Sequence, residues 1–391
     1  MEPEDIESNS SICKDDELQD EFYNNNLWWT NGILLVCVAA IGIFLNATSL
    51  YIIQGKKVKE TMFNTLAIFL AMIDILLLLN IIYTYIAVHL STPYLSSCVS
   101  SIYLSFYATI IYPSHRMLML CSFYMNVLMA YERYNCIANP FEISTRNQLN
   151  KNKNRYAQVT WHTLPVIVIS IIFNIPTVYD LEISKIDSNS LKKINEAETA
   201  PNCTSELWKV SRTEFGLNRN YRLWYLNISN LVVFAIIPVF LMGFFNFRVY
   251  LLSNERRLRH RNIANNEGKH EQSQCQQKIM LSLLVVLFII CNIPDFLLNA
   301  EDIIYFQPYE KQRQPHCDWT DFWVMMVTFV QALVLTIKCS LNFLMYHIYD
   351  VEFMKVFRSN VVSLCQCQWK KGRHVDNSNI ETFEMQAINQ I

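Results

Sequence analysis

The chain has 391 residues, of which 52% are hydrophobic and only 17% charged, with a formal net charge of −2. This balance gives no basis for a nucleic-acid partner, and a glycine count of 7 argues against a loop-rich β fold. The apolar residues are clustered, and their clustering sets the architecture.

A helix needs ~20 mostly apolar residues to cross a ~30 Å hydrocarbon core. Backbone groups in lipid must be paired, which leaves helices or a closed barrel. Barrel strands would alternate over ~10 residues, and the runs here are longer and more uniform. Residues 1–27 form an acidic tail (Glu2, Glu4, Asp5, Glu7, Asp15, Asp16, Glu17, Asp20, Glu21) without the basic start and apolar core of a signal peptide. The first span is therefore expected to act as the targeting signal. The spans follow at Trp28–Ile53, Asn64–His89, Ser101–Ile137, Tyr156–Tyr179, Tyr221–Leu252, Lys278–Ile304 and Trp319–Tyr349. They predict an all-α membrane protein, a seven-transmembrane helix bundle over residues 28–349. A short amphipathic helix with a cysteine pair is expected at 350–369, and a cytoplasmic tail at 370–391.

Loop basicity gives the orientation. Lys56, Lys57, Lys59, Arg146, Lys151, Lys153 and Arg155 fall on one side, with the arginines of 256–261 and Lys355, Arg358, Lys370, Lys371 and Arg373. That side reads as the cytoplasm. The amino terminus is then extracellular, and the protein is a multi-pass component of the plasma membrane. Cys13, Cys98, Cys203 and Cys317 all fall outside, where disulfides persist, and four cysteines permit three connectivities. A Cys98–Cys203 bridge would tie the top of the third helix to the long outer loop. Asn9 and Asn202 head outward glycosylation sequons. Ionisable residues inside a span are costly unless paired or hydrated, so each marks a candidate site. They are Asp74, then His115, Arg116, Glu132 and Arg133, then Asp295, then Lys338.

Motifs on successive spans carry a resemblance. They are Asn46; Leu70-Ala71-Met72-Ile73-Asp74; Tyr112-Pro113; Glu132-Arg133-Tyr134; Phe173-Asn174-Ile175-Pro176 with Asp180; Pro238 with Asn246; Cys291-Asn292-Ile293-Pro294; and Asn342-Phe343-Leu344-Met345-Tyr346, followed by Phe353 and Phe357. In this order the region from Asn46 to Phe357 resembles the class A (rhodopsin-like) G-protein-coupled receptors. Within that class it is most similar to invertebrate receptors for FMRFamide-type neuropeptides. The resemblance implies a receptor that binds an extracellular ligand and activates a heterotrimeric G protein, and that works without a cofactor or metal. It implies that Arg133 contacts the G protein when the sixth helix swings out, that Glu132 helps restrain it, and that Tyr134, Asn342 and Tyr346 belong to the same activation machinery. Cys365 and Cys367, after the amphipathic helix, look like palmitoylation sites. A receptor heteromer is a further possible partner.

Departures from the class pattern are informative. Ala108 stands where the class usually has a cysteine, and Cys98 lies ten residues earlier. Asn292 replaces a tryptophan, Phe343 replaces a proline, and Trp161 is out of register with the usual fourth-helix tryptophan. Lys338, Asn342 and Tyr346 are spaced i, i+4, i+8 and share a helix face. In the class that face approaches the second-helix aspartate, where many members hold sodium with the help of a third-helix serine. Ser122 fits the serine position. Lys338 is therefore expected to pair with Asp74 and to replace the ion.

Arg116 lies seventeen residues before Arg133, ~25 Å up the helix, in the outer half of the membrane. Asp295 falls at about the same depth. With His115, and with Glu301 and Asp302 at the rim, they outline a ligand pocket. An amidated peptide carrying arginine would use Asp295, because a carboxylate accepts a guanidinium in bidentate fashion. A small acidic pheromone-like molecule would use Arg116 instead. A secondary transporter is the rival of another class, but no repeat relates the two halves as is often found in such folds. No Ser/His/Asp set, metal-spaced histidine cluster or phosphate loop points to an enzyme.

Overall fold

The computed structural model describes residues 32–54, 62–85, 97–139, 155–185, 208–261, 286, 289–294, 296–298 and 319–349. The helices within these ranges are taken in chain order. Helix α1 is Leu35–Gln54 and α2 is Met62–Tyr85. Helix α3 covers 97–138, joining Ser97–Phe106 to Tyr112–Ala138 through a π turn at Tyr107–Ile111. Helix α4 covers 155–179 and ends in a 3-10 segment, Ile175–Tyr179. An antiparallel hairpin follows, β1 (Leu181–Lys185) and β2 (Trp208–Arg212), with Leu181 opposite Arg212 and Lys185 opposite Trp208. After one helical turn, Glu214–Leu217, helix α5 covers 221–261. Helical turns at 289–294 and 296–298 form α6, and α7 is Trp319–Tyr349.

Among the described residues, four helices are long and apolar enough to cross a membrane: Gly32–Gln54, Met62–Thr84, Val159–Tyr179 and Tyr221–Glu255. Shorter apolar stretches lie at Ile289–Leu298 and Met326–Asn342. The sequence predicts seven such spans, and α3 departs most instructively. It carries His115, Arg116, Glu132 and Arg133 within one helix. Because it packs against α2, α4 and α5, its charged positions lie among protein partners. Exposed apolar side chains such as Phe44, Tyr51, Trp161 and Phe240 face outward from the other helices. Trp161, the tryptophan out of register with the class, is 75% exposed and packs no core position.

Helix association inside a bilayer gains little from hydrophobic burial and depends on close packing and interhelical hydrogen bonds. The α1–α7 contact shows both. Ala39, Gly42, Asn46 and Ser49 recur on one buried face of α1. Asn46 Nδ2 donates to the Gly42 carbonyl at 2.9 Å and to the Cys339 carbonyl of α7 at 3.0 Å. At Gly42 a β-carbon would collide with the Ser340 hydroxyl and approach Leu78 to 2.9 Å, so only glycine permits the helices to come this close.

Proline shapes α3 and α5. Pro113 has no N–H to donate, and its ring crowds the carbonyl four residues earlier. The helix widens just before it, and the Tyr112 N–H reaches back five residues to the Tyr107 carbonyl. In α5 the N–H of Ile237 likewise reaches Val232. The next bond in that register would come from Pro238, which has no hydrogen to give. The Tyr124 hydroxyl of α3 donates to the waiting Val233 carbonyl instead, at 3.1 Å.

Replacing Gly42 with leucine should force α1 from α7 and cost about 1–3 kcal/mol, as overpacking does. Thermal melting of the purified protein should show Gly42→Leu well below wild type and Gly42→Ala between them. Equal melting of all three proteins would contradict the close approach.

Candidate functional site

Three polar layers lie along α3. The central one surrounds Asp74, which is fully buried in α2. Its Oδ1 accepts from the Ser122 hydroxyl of α3 at 2.8 Å, and its Oδ2 accepts from the Asn342 amide of α7. Lys338, one turn before Asn342, donates from Nζ to the Ser122 oxygen at 3.0 Å. The ammonium also sits 4.2 Å from the centre of the Phe123 ring. The Ser122 hydroxyl therefore relays between base and acid, donating to one and accepting from the other. The Lys338 charge also acts directly on the carboxylate. Asn126, a turn further along α3, donates to the Ser122 carbonyl at 2.7 Å and holds that segment in place.

The layer farthest from the hairpin contains Glu132, Arg133 and Tyr134. Glu132 is buried. The Arg133 guanidinium lies 4.4 Å from the centre of the Phe63 ring of α2, in cation–π contact. Tyr134 and Tyr131 both pack on Phe245 of α5, with ring centres 5.9 and 5.3 Å away. The end of α3 is thus anchored on both flanks by aromatic rings.

The third layer lies beneath the hairpin. Asn80 of α2 donates to the Ile111 carbonyl at 3.1 Å and to the Ser114 hydroxyl at 2.8 Å, while its own oxygen lies 3.1 Å from His115 Nδ1. The Arg116 guanidinium lies 5.2 Å from the centre of the Phe234 ring, and its Nε is buried without a hydrogen-bond partner among the described residues. The Tyr221 hydroxyl is likewise buried and unpaired among them. Tyr225 donates to the Phe173 carbonyl at 2.6 Å, and the Tyr221 and Tyr225 rings stack at 5.2 Å.

Asp180 is the hub that seats the hairpin over this layer. It is fully buried, and it accepts from the Tyr112 hydroxyl at 2.9 Å and from Arg212 at 3.3 Å. Its backbone carbonyl accepts the Thr213 N–H at 3.0 Å. A side chain at Gly216 would strike the Asp180 carbonyl, so glycine is required there too. One carboxylate thereby joins α3, the end of α4 and the second hairpin strand.

The structure brings Asp74, Lys338 and Asn342 together, and it places His115 and Arg116 in one layer. Asp295, Glu301, Asp302, Cys203, Asn9, Asn202, Cys365 and Cys367 lie outside the described residues. Cys98 and Tyr346 lie in α3 and α7, but their side chains are outside the description. The pairing of Cys98 with Cys203 and the helix expected at 350–369 fall outside it as well. Sequence reading did not anticipate Asn80, Ser114, Tyr221 or Tyr225. Asn80 gave a usable signal, being a lone amide in a run of leucine and isoleucine, but attention to ionisable groups passed over it.

These features define a polytopic α-helical membrane protein with a polar core. Residues 45–346 match the family described as 7 transmembrane receptor (rhodopsin family), and the chain belongs to that family. Its members are receptors and not enzymes. Among curated relatives, the chain is 20% identical over 351 residues to an FMRFamide receptor of Drosophila melanogaster, covering 88% of this chain. It is 23% identical over 276 residues to an FMRFamide peptide receptor of Caenorhabditis elegans, covering 69% of this chain. In each case the match spans 56% of the relative's length, so the chain covers about half of these proteins.

A double-mutant cycle tests the central layer. Removing one member of a buried charge pair costs about 3–5 kcal/mol, because the other is left uncompensated. Asp74→Asn and Lys338→Met should each lower the melting temperature sharply, and the double variant should lower it by less than their sum. Strict additivity would mean that the two groups do not act on each other.

Proposed function

We propose that this protein is a seven-span G-protein-coupled receptor for an amidated neuropeptide, with its amino terminus outside the cell. The observation that carries the reading is the stacking of three polar layers along one helix, in a member of a receptor family. The layer beneath the hairpin, with the buried Arg116 Nε and Tyr221 hydroxyl unpaired among the described residues, is suited to ligand binding. A buried charge cluster at mid-bundle can couple helices α2, α3 and α7. The Glu132-Arg133-Tyr134 layer at the far end is suited to meeting a heterotrimeric G protein. Two relatives bear FMRFamide in their names, which supports a peptide ending in arginine and an amidated aromatic residue. Asp295 would receive the ligand's guanidinium, with Glu301 and Asp302 at the rim. In this reading Lys338 supplies the positive charge that sodium supplies in many members of the class.

The unpaired Arg116 Nε supports a second reading, a receptor for a small acidic molecule, since a guanidinium binds carboxylates well. The two readings differ in their mutants. With a verified peptide agonist, Asp295→Asn should weaken activation far more than Arg116→Gln; an acidic agonist should reverse that order.

Cells co-expressing the chain and a G protein should show nucleotide exchange when challenged with amidated peptides, and Arg133→Ala should abolish exchange while leaving surface expression intact. Tracer uptake without any exchange would move the protein to the transporters.

A further inference from the structure

The outer half of α5 is wound more widely than an α-helix. Two π segments, Tyr221–Ser229 and Leu231–Ile236, follow one another and end where the α-helical part begins at Ile237. A π winding is ordinarily a single turn inserted in an α-helix. A run of this length needs a contact from outside to hold it. Its own polar side chains are poorly matched by the winding, since Asn227 Nδ2 and Asn230 Oδ1 are buried without a partner among the described residues.

The register is decided at Pro238, which has no N–H to give. Ile237, the last donor before it, bonds the Val232 carbonyl five residues back. Continued in that register, position 238 would serve Val233, and the proline leaves that carbonyl short of a donor. In an α register Ile237 would bond Val233 itself, and the carbonyl left short would be that of Phe234. The two windings thus expose carbonyls one residue apart. The Tyr124 hydroxyl of α3 donates to Val233 at 3.1 Å. It matches the carbonyl left over in the π register. In a bilayer, where an unpaired carbonyl finds no water, such a bond weighs toward one winding over the other.

The register sets what the outer half of α5 presents. Successive residues of an α-helix are ~100° apart, so releasing one residue turns the outer half by about that angle against the inner half. Phe234 now lies against Phe123 of α3 and Phe173 of α4, with ring centres 6.3 and 6.1 Å away, and Arg116 sits over its ring. The inner half is α-helical, and its Phe245 packs on Tyr131 and Tyr134. The two halves meet at Pro238.

We infer that the Tyr124 hydroxyl is a register latch. It holds α5 in the π winding ahead of Pro238, and its release lets the outer half rewind as α-helix. Rewinding carries Phe234 away from Arg116 and Phe123 while the inner half keeps its packing on α3. Tyr124 is a positioning residue that acts through a backbone carbonyl and touches no ligand. The latch goes beyond the receptor reading and is independent of which ligand the protein binds.

The full-length protein in lipid nanodiscs is compared by cryo-electron microscopy as wild type, Tyr124→Phe and Tyr225→Phe. The last variant removes a hydroxyl of the same stretch that bonds Phe173 of α4 instead. In wild type and Tyr225→Phe the Ile237 N–H should reach Val232; in Tyr124→Phe it should move to Val233. Fluorine NMR of a 4-fluorophenylalanine placed at position 234 reads the populations. Wild type should give one dominant line, and in Tyr124→Phe the ratio of a second line to the first should rise on the order of 10-fold, the effect of losing one hydrogen bond. A bond that only adds stability would lower the melting temperature of Tyr124→Phe and leave the Ile237 contact and the fluorine spectrum unchanged, which overturns the latch. So does a wild type whose Ile237 bonds Val233, a result that needs no variant, or a Tyr225→Phe protein that changes register as Tyr124→Phe does.

Discussion

A carboxylate buried in the middle of a helical bundle must be matched by donors or by charge, and Asp74 is matched by both. Ser122 and Asn342 satisfy its oxygens from two different helices, and Lys338 brings an ammonium to the same cluster. These contacts hold α2, α3 and α7 in one register. Asn46 adds α1 through the carbonyl of Cys339, the residue next to Lys338. Four helices are thus joined within a few residues of one charge. Such a cluster is sensitive to small displacements, because separating the groups by a water's width exposes each to a large desolvation cost. That sensitivity is what a signalling bundle requires between its two ends.

The two ends are built differently. Toward the hairpin the contacts are polar and specific: Asn80 with Ser114 and His115, and Asp180 with Tyr112 and Arg212. At the other end Arg133 lies over Phe63, and two tyrosines pack on Phe245.

Much of this was legible in the sequence because charge inside an apolar run is conspicuous. Asp74, Lys338, Glu132 and Arg133 stood out for that reason, and helical spacing placed Lys338 and Asn342 on one face. What was not legible depended on backbone detail. The part played by Asn80 depends on which groups of α3 face α2, which only the three-dimensional path reveals. The pairing of Asp180 with Arg212 joins residues 32 apart across a hairpin, and no local pattern encodes it. Apolarity alone also understates α3, since a helix surrounded by other helices can carry polar residues that a lipid-facing helix cannot.

The most direct measurement is the melting temperature of the purified wild-type receptor in sodium chloride against choline chloride at equal ionic strength, alongside Lys338→Asn. If Lys338 occupies the charge position that an ion would otherwise fill, wild type should melt at the same temperature in both salts, and only Lys338→Asn should gain stability with sodium. Sodium-specific stabilisation of the wild type would contradict a core neutralised by its own lysine.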